Sequence, residues 1–381
     1  MTQNTSQDTS QNASRNTSGN TAAVPLHGIH VPLVTPFTLT GEIAAEALEG
    51  LAHAVLDGGA TGIVALGTTG EAACLDEAER ERVTGVCARV CRERGALLTV
   101  GAGAVGTRAA EASLAGLARW PRAGAALVTV PSFVRPSPAG VLAHFGRLAR
   151  VSPVPLVVYH IPHRTGQPLD AAALRALGSL PGIAGVKYST GSIDQDAVEL
   201  LGDRPAGFQV LAGDDLYVSP MLAMGASGGI LASAHLATER FAELAEAWRA
   251  GNAVHARALG HALAGLSAAL FAEPNPAVVK GVLHAQGRIP AAAVRLPLLP
   301  ASDAAVASAL ERLERLERPA GPERPAGLAG PERPAGLAGP ERPAGLDAPS
   351  PEGSAGAIGA AKGSQLREGE IGAGKSAGWA F

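Results

Sequence analysis

The chain reads as an α/β protein: a (β/α)8 TIM barrel with a C-terminal helical extension and disordered tails. Three observations predict this. Eight short β-type runs occur in the middle of the chain, each followed by a helical segment, and strict β–α alternation argues for a parallel sheet with right-handed crossovers. Eight such units in roughly 205 residues fit a barrel, which typically takes about 250. A doubly wound open sheet would want a glycine-rich nucleotide turn after its first strand, and Val34–Leu39 has none.

The elements follow in order. Ile29–Val34 is apolar and ends at Thr35-Pro36, and Ala44–Leu56 has helical spacing up to Gly58-Gly59. Gly62–Leu66 is a strand, followed by the glycine-bracketed turn Gly67-Thr68-Thr69-Gly70-Glu71. Asp76–Arg94 reads as a helix with Asp76 as N-cap, Glu79 three residues on, and Gly95 closing it. Leu97–Gly101 is a strand, Thr107–Arg119 a helix capped by Thr107, Ala125–Val130 a strand, Ser137–Arg150 a helix and Pro155–His160 a strand. Then come Asp170–Leu177 (helix), Ile183–Lys187 (strand), Ser192–Leu201 (helix), Phe208–Ala212 (strand), Leu216–Met224 (helix) and Gly228–Leu231 (strand). Residues 26–237 thus form the barrel. Residues 238–318 read as helical: Glu239–Ala250, Ala253–Ala269, Pro276–Ala285 and an amphipathic Asp303–Arg318.

The ends differ. Residues 1–25 are mostly Thr, Ser, Asn, Gln and Ala, without the basic start and apolar stretch of a secretory signal. Residues 319–381 are rich in Pro, Ala and Gly and repeat Gly-Pro-Glu-Arg-Pro-Ala-Gly-Leu-Ala from Gly321 and Gly330, in part from Gly339. Neither end can bury enough apolar surface to offset the entropy of ordering, so both read as disordered tails.

Composition narrows the function. The net charge of −3 gives no electrostatic case for nucleic acid, and no apolar run is long enough for a membrane span. Cys74, Cys87 and Cys91 form no CxxC pair and no even framework, which suits ordinary thiols in a reducing, cytoplasmic setting. No His, Cys, Asp or Glu cluster has metal-ligand spacing, so no metal is expected. Gly101–Gly106 matches GxGxxG, but after the third strand and in a chain with 48 glycines it is a weak nucleotide signal, and no cofactor is expected.

Barrel chemistry sits at the C-terminal ends of strands. Those ends bring together Thr68 and Thr69, Tyr159 and His160, Lys187, Asp214 and Asp215, with Ile230 in the eighth strand. An apolar run that ends on one lysine is unusual, because lysine is rarely buried without a reason. Loss of water in an apolar mouth favours the neutral amine, which can attack a ketone; the resulting iminium is an electron sink that needs no cofactor. A keto acid's carboxylate could rest on the hydroxyls and N–H groups of Gly67–Gly70, and the Tyr159 phenol can both give and take a proton. The plainer alternatives are a strand-end lysine snorkelling to solvent and a buried phenol with one hydrogen bond.

Gly67-Thr68-Thr69-Gly70-Glu71, Tyr159-His160-Ile161-Pro162-His163-Arg164-Thr165-Gly166, Gly185-Val186-Lys187 and Gly213-Asp214-Asp215 occur in this order and spacing, with Glu273-Pro274-Asn275-Pro276 further on. Together they resemble the dihydrodipicolinate synthase / N-acetylneuraminate lyase family of pyruvate-dependent class I aldolases, from about His27 to Leu316. The resemblance implies a lyase that joins pyruvate to an aldehyde through a Schiff base on Lys187. It implies Tyr159 as proton shuttle, Thr68 as the hydroxyl linking that tyrosine into a relay, and Thr69 as the holder of the pyruvate carboxylate. Ile230 matches the residue whose backbone faces the keto acid, and Arg164 the arginine that binds the aspartate semialdehyde carboxylate in the synthase branch; a surface-loop arginine is the alternative. A homo-oligomer, dimer or tetramer, is also implied.

Arg164 makes 4-hydroxy-tetrahydrodipicolinate synthase the first named activity. A related aldolase acting on 4-hydroxy-2-oxoglutarate or a 2-keto-3-deoxy sugar acid is the second, and a non-catalytic keto-acid-binding homologue the third. The departures from the family pattern are Phe133, where the synthases carry a second relay tyrosine reached across a dimer interface, His160 for Asn, and Tyr188 for Glu. His160 and Tyr188 read as changes beside a pocket tuned for another aldehyde. The residues around Ser132 and Arg80 do not match the feedback lysine site, so no lysine inhibition is expected.

Overall fold

A computed structural model describes Leu26–Glu317; the predicted tails lie outside the described residues. Eight parallel strands close in chain order: β1 (Gly28–Pro32), β2 (Gly62–Ala65), β3 (Leu97–Gly101), β4 (Ala123–Thr129), β5 (Leu156–His160), β6 (Ile183–Tyr188), β7 (Gln209–Ala212) and β8 (Gly228–Ile230). β1 pairs with both β2 and β8, which shuts the ring. This is a TIM barrel, and the open doubly wound sheet is excluded.

Strand alternation sorts the side chains into two cores. Val64, Ala125, Leu127, Val157, Tyr159, Leu211 and Ile230 fill the barrel interior. Their neighbours in sequence, such as Ile63, Ala126, Val158 and Val210, face the surrounding helices.

The helices begin where side chains can satisfy their free N–H groups. In α2 (Glu77–Arg94), after α1 (Ala45–Asp57), Asp76 and Glu79 form the expected capping box and Gly95 closes the helix at φ +65. α3 (Thr107–Gly116) departs from the expectation. Gly106 is its N-cap, and the Thr107 hydroxyl is 2.9 Å from His144 Nδ1 instead of capping. The helix stops at Gly116 and continues as a 3-10 turn, Leu117–Arg119. α4 (Pro138–Val151) is capped by Ser137. A short helix, α5 (Pro162–Thr165), occupies the loop after β5, and α6 (Ala171–Gly178) is capped by Asp170. α7 (Gln195–Gly202) starts three residues later than Ser192 because Asp194 is the cap, its carboxylate accepting from Ala197 N. A 3-10 turn, Asp215–Tyr217, precedes α8 (Val218–Ala223).

The extension comprises α9 (Thr238–Arg249), α10 (Ala253–Leu270), α11 (Ala277–Ala285) and α12 (Asp303–Glu317). Residues 286–302, between α11 and α12, are not helical. No helix among the described residues is long and apolar enough to cross a membrane. All three cysteines are free, and burial pushes the Cys87 and Cys91 thiols up, the latter to about 12.

Candidate active site

Tyr159 and Lys187 are register partners on β5 and β6. Lys187 is 6% exposed, and its Nζ lies 4.4 Å from the centroid of the Tyr159 ring. Two lysines fall among the described residues. Lys280 is joined to Glu71, whereas Lys187 has no ion pair and no hydrogen bond there. A buried amine over an aromatic face with no carboxylate partner among the described residues is unusual, because a lysine is rarely buried unpaired. Gly213, just past β7, makes room for it: a Cβ there would stand 2.8 Å from Lys187 Cγ and 2.9 Å from its Cε.

The turn after β2 forms the facing wall. Thr68–Gly70 is a single 3-10 turn, and Gly70 O accepts from Thr35 Oγ1 at 2.7 Å. Thr69 is buried and its Oγ1 accepts from Asn275 Nδ2 at 2.9 Å. That bond uses a lone pair and leaves the hydroxyl proton free to point into the cavity. Thr68 is exposed at the rim and makes no side-chain hydrogen bond to Tyr159. Leu66 and Glu71 flank the turn at φ +55 and +54, and Phe133 and Arg135, beyond β4, stand at φ +69 and +42. Among the described residues, all four non-glycine residues with left-handed backbone lie at the same end of the barrel, where strain of roughly 1–2 kcal/mol each must be held by the surroundings.

α5 carries His163 and Arg164 over the mouth, with Gly166 at φ +68 ending it. The Arg135 side chain lies against Gly166 and so braces this helix from the β4 loop. After β7, Asp214 accepts from Ser189 Oγ at 2.8 Å and from Gly191 N at 2.7 Å, tying the β6 and β7 loops together. Asp215 accepts from Ser233 N at 2.5 Å. Burial pushes its carboxyl up to about 6, with the Ser233 hydrogen bond and the Lys187 charge acting in the opposite sense.

Lys187, Tyr159, Thr68, Thr69, Arg164 and Ile230 all line one cavity of about 120 Å³. It shares Thr68, Tyr159, Arg164 and Asn275 with the wall of a larger space of about 480 Å³, which Pro297 and Leu298 also line. The six residues singled out in the sequence are therefore brought together. Asn275 and Phe271, which also line the inner cavity, were not singled out as site residues. They come from the helical extension, and only the turn of that extension over the barrel mouth brings them near Thr69.

One expectation is overturned. His160 and Tyr188 do not border the cavity. They alternate with Tyr159 and Lys187 along their strands and point outward, the two rings 5.4 Å apart and the Tyr188 hydroxyl donating to Asp194 at 2.6 Å. Burial lowers the His160 imidazole to about 4. Phe133 stands in the loop after β4, 95% exposed. Two of the Gly101–Gly106 glycines have a packing reason: a Cβ on Gly101 would collide with Leu66 O, and one on Gly103 would lie 3.1 Å from Thr129 N, whereas one on Gly106 would meet nothing within 4 Å.

Comparison with known proteins gives a consistent picture. The model of the dihydrodipicolinate synthetase family matches residues 25–315. A 4-hydroxy-tetrahydrodipicolinate synthase of Sorangium cellulosum is 38% identical over 288 residues, 74% of this chain and 93% of the relative. The crystal structure of dihydrodipicolinate synthase from Thermotoga maritima superposes with a TM-score of 0.73 at 28% identity, covering 76% of this chain and 98% of that one. A chloride-inhibited dihydrodipicolinate synthase from Acinetobacter baumannii, solved with pyruvate, superposes with a TM-score of 0.72 at 31% identity, covering 76% and 98%.

Proposed function

Because the chain belongs to the dihydrodipicolinate synthetase family, we propose that it is a 4-hydroxy-tetrahydrodipicolinate synthase, a lyase that condenses pyruvate with aspartate semialdehyde through a Schiff base on Lys187. The observation that carries this reading is the Lys187 amine: buried, without an ion pair, and 4.4 Å from the Tyr159 ring.

The steps follow from the positions. The Lys187 amine attacks the pyruvate ketone to give a carbinolamine. Tyr159 supplies the proton with which hydroxide leaves as water, and an iminium remains. The iminium withdraws electrons from the neighbouring methyl, which loses a proton to the Tyr159 phenolate to give an enamine. The enamine carbon attacks the aldehyde carbonyl, whose oxygen takes that proton from Tyr159 as the iminium re-forms, and hydrolysis or intramolecular amine attack on this iminium returns Lys187. Thr69, fixed by Asn275, donates to the pyruvate carboxylate, and the Ile230 backbone faces the keto acid across the cavity. Thr68 lines the same cavity as Tyr159 at its exposed rim, where its hydroxyl can pass a proton on through an intervening water. Arg164, above the same cavity, takes the carboxylate of the aldehyde substrate with its guanidinium fork.

The homo-oligomer, a dimer or tetramer, and the cytoplasmic setting belong to this proposal. Phe133 supports the oligomer, since a fully exposed aromatic held at φ +69 beside the site is suited to insertion into a second copy. It also favours a second reading. With no hydroxyl at that position, the relay differs from the synthase pattern, and the aldehyde could be one used by a related 2-keto acid aldolase. Pyruvate offered with a panel of aldehydes, with products identified by mass, separates the two. Consumption of aspartate semialdehyde in preference to the others supports the synthase; turnover of another aldehyde alone removes that name.

A further inference from the structure

Glu71 ends the Gly67–Glu71 turn, and its carboxylate is wholly committed. Lys280 Nζ donates to Oε1 at 2.7 Å and the Arg295 backbone N–H donates to Oε2 at 2.7 Å. The Glu71–Lys280 pair is buried, with side-chain exposures of 1% and 0%. Glu71 itself sits at φ +54, a backbone state that a glutamate adopts only when its surroundings hold it. Its own N–H bonds to Thr68 O at 3.0 Å, so the residue that is clamped also closes the turn that carries Thr68 and Thr69.

The clamp comes entirely from the extension. Asn275, just before α11, holds Thr69, and Lys280, a little over one turn along, holds Glu71. Arg295 completes it from the non-helical segment. Its guanidinium binds Glu79 at 2.5 and 2.6 Å and the carbonyls of Cys74 and Gly41 at 3.0 and 2.9 Å. Lys280 Nζ and Arg295 Cζ lie 4.1 and 4.5 Å from the centroid of the Phe37 ring, which they share. Burial lowers Lys280 to about 8 against the pull of Glu71, a cost the fold bears in the middle of the apolar stretch Ala277–Leu283.

We propose that Lys280 is a positioning residue for the keto-acid carboxylate: acting through Glu71, it fixes the Thr68–Thr69 turn in its binding geometry. This rests on the Schiff-base reading above. A buried ion pair is weak evidence for stability alone, and here it is spent on one residue of one turn at the cavity wall. Lys280 touches no substrate, and its effect reaches pyruvate by way of the Thr69 hydroxyl.

The test is the Lys280→Met variant of the full chain, with the Glu71→Gln/Lys280→Met double variant beside it because the double buries no uncompensated charge. Each is used once its circular dichroism and melting profile are cooperative. The expected result is a pyruvate KM raised at least tenfold with kcat within threefold, and restoration toward wild type in Lys280→Arg. In a Thr69→Val background the same Lys280→Met change should raise KM less than threefold further. A folded variant, single or double, with wild-type pyruvate KM overturns the proposal, as does full additivity with Thr69→Val. Borohydride trapping at saturating pyruvate is run in parallel. Absence of a Lys187 adduct in the wild type removes the Schiff-base reading itself, whereas an adduct in every variant with unchanged KM removes only the role of Lys280.

Discussion

Lys187 and Tyr159 face each other at the same height on adjacent parallel strands, the amine 4.4 Å from the ring centroid. This fixes much of the chemistry the mouth can do. In the proposed mechanism the phenol is the group that gives and takes the proton as a carbinolamine forms and collapses on the amine. Hydroxyls lie on one side, at Thr68 and Thr69, and a guanidinium above, at Arg164.

The room that Gly213 leaves for Lys187 is a first point of attack. A Cβ 2.8 Å from Lys187 Cγ cannot be accommodated without moving the lysine stem, and such overpacking costs about 1–3 kcal/mol. Gly213→Ala is expected to slow borohydride trapping with pyruvate at least tenfold while far-ultraviolet circular dichroism stays unchanged. Trapping at the wild-type rate would show that the stem has room to spare.

Arg164 separates the two substrates. Arg164→Ala removes a charge-assisted bond of about 1.5–3 kcal/mol. The aspartate semialdehyde KM should rise roughly tenfold to hundredfold, with pyruvate KM changed less than twofold. Equal loss for both substrates would place the arginine in general folding of the mouth instead.

Phe133 tests the relay. Restoring a hydroxyl with Phe133→Tyr is expected to raise kcat several-fold and leave pyruvate KM alone, and Phe133→Ala is expected to weaken self-association in sedimentation velocity. No change in either measurement would mean that Phe133 neither meets a second copy nor limits proton transfer.

Stability should depend on pH through three buried histidines. Burial lowers His30, His160 and His235 to about 4, below the value of about 6.5 in the unfolded chain. The unfolded chain therefore binds more protons between pH 6.5 and 4, and stability falls as pH drops through that window. His235 gives this a structural basis: its Nε2 accepts from Val34 N at 3.1 Å, and protonation removes that acceptor. Asp215, raised to about 6 by burial, acts in the opposite direction over pH 6 to 4, against these three and His144, which burial also lowers. Urea unfolding at stepped pH should show the net decline, and His30→Leu, at a ring with no hydrogen-bond partner, should make it shallower. A flat profile from pH 7 to 4.5 would contradict the assignment.

The barrel was legible because its signals are local. Strand and helix periods differ, and Asp76, Ser137, Asp170 and Gly95 punctuate the chain at the helix ends. Thr107 misled because a hydroxyl that could cap is instead 2.9 Å from His144. That Lys187, Tyr159, Thr68, Thr69, Arg164 and Ile230 meet at one cavity was readable from strand ends together with the family resemblance. His160 and Tyr188 were misplaced against a signal already in the sequence: period-2 alternation puts them on the opposite face from Tyr159 and Lys187. Glu71, Lys280, Arg295 and Asn275 were beyond local reasoning, since Glu71 and Lys280 are 209 residues apart in sequence. A hint existed in Lys280, a lone charge in the apolar run of α11, but nothing in the chain named its partner.

The central claim is that Lys187 is the nucleophile. The sequence holds four lysines, at Lys187, Lys280, Lys362 and Lys375, so peptide mass mapping after borohydride reduction with pyruvate gives an unambiguous reading. A single reduced adduct is expected, on the peptide containing Lys187, absent without pyruvate and absent in Lys187→Ala. No adduct in the wild type, or one on Lys280, Lys362 or Lys375 that persists in Lys187→Ala, would contradict it.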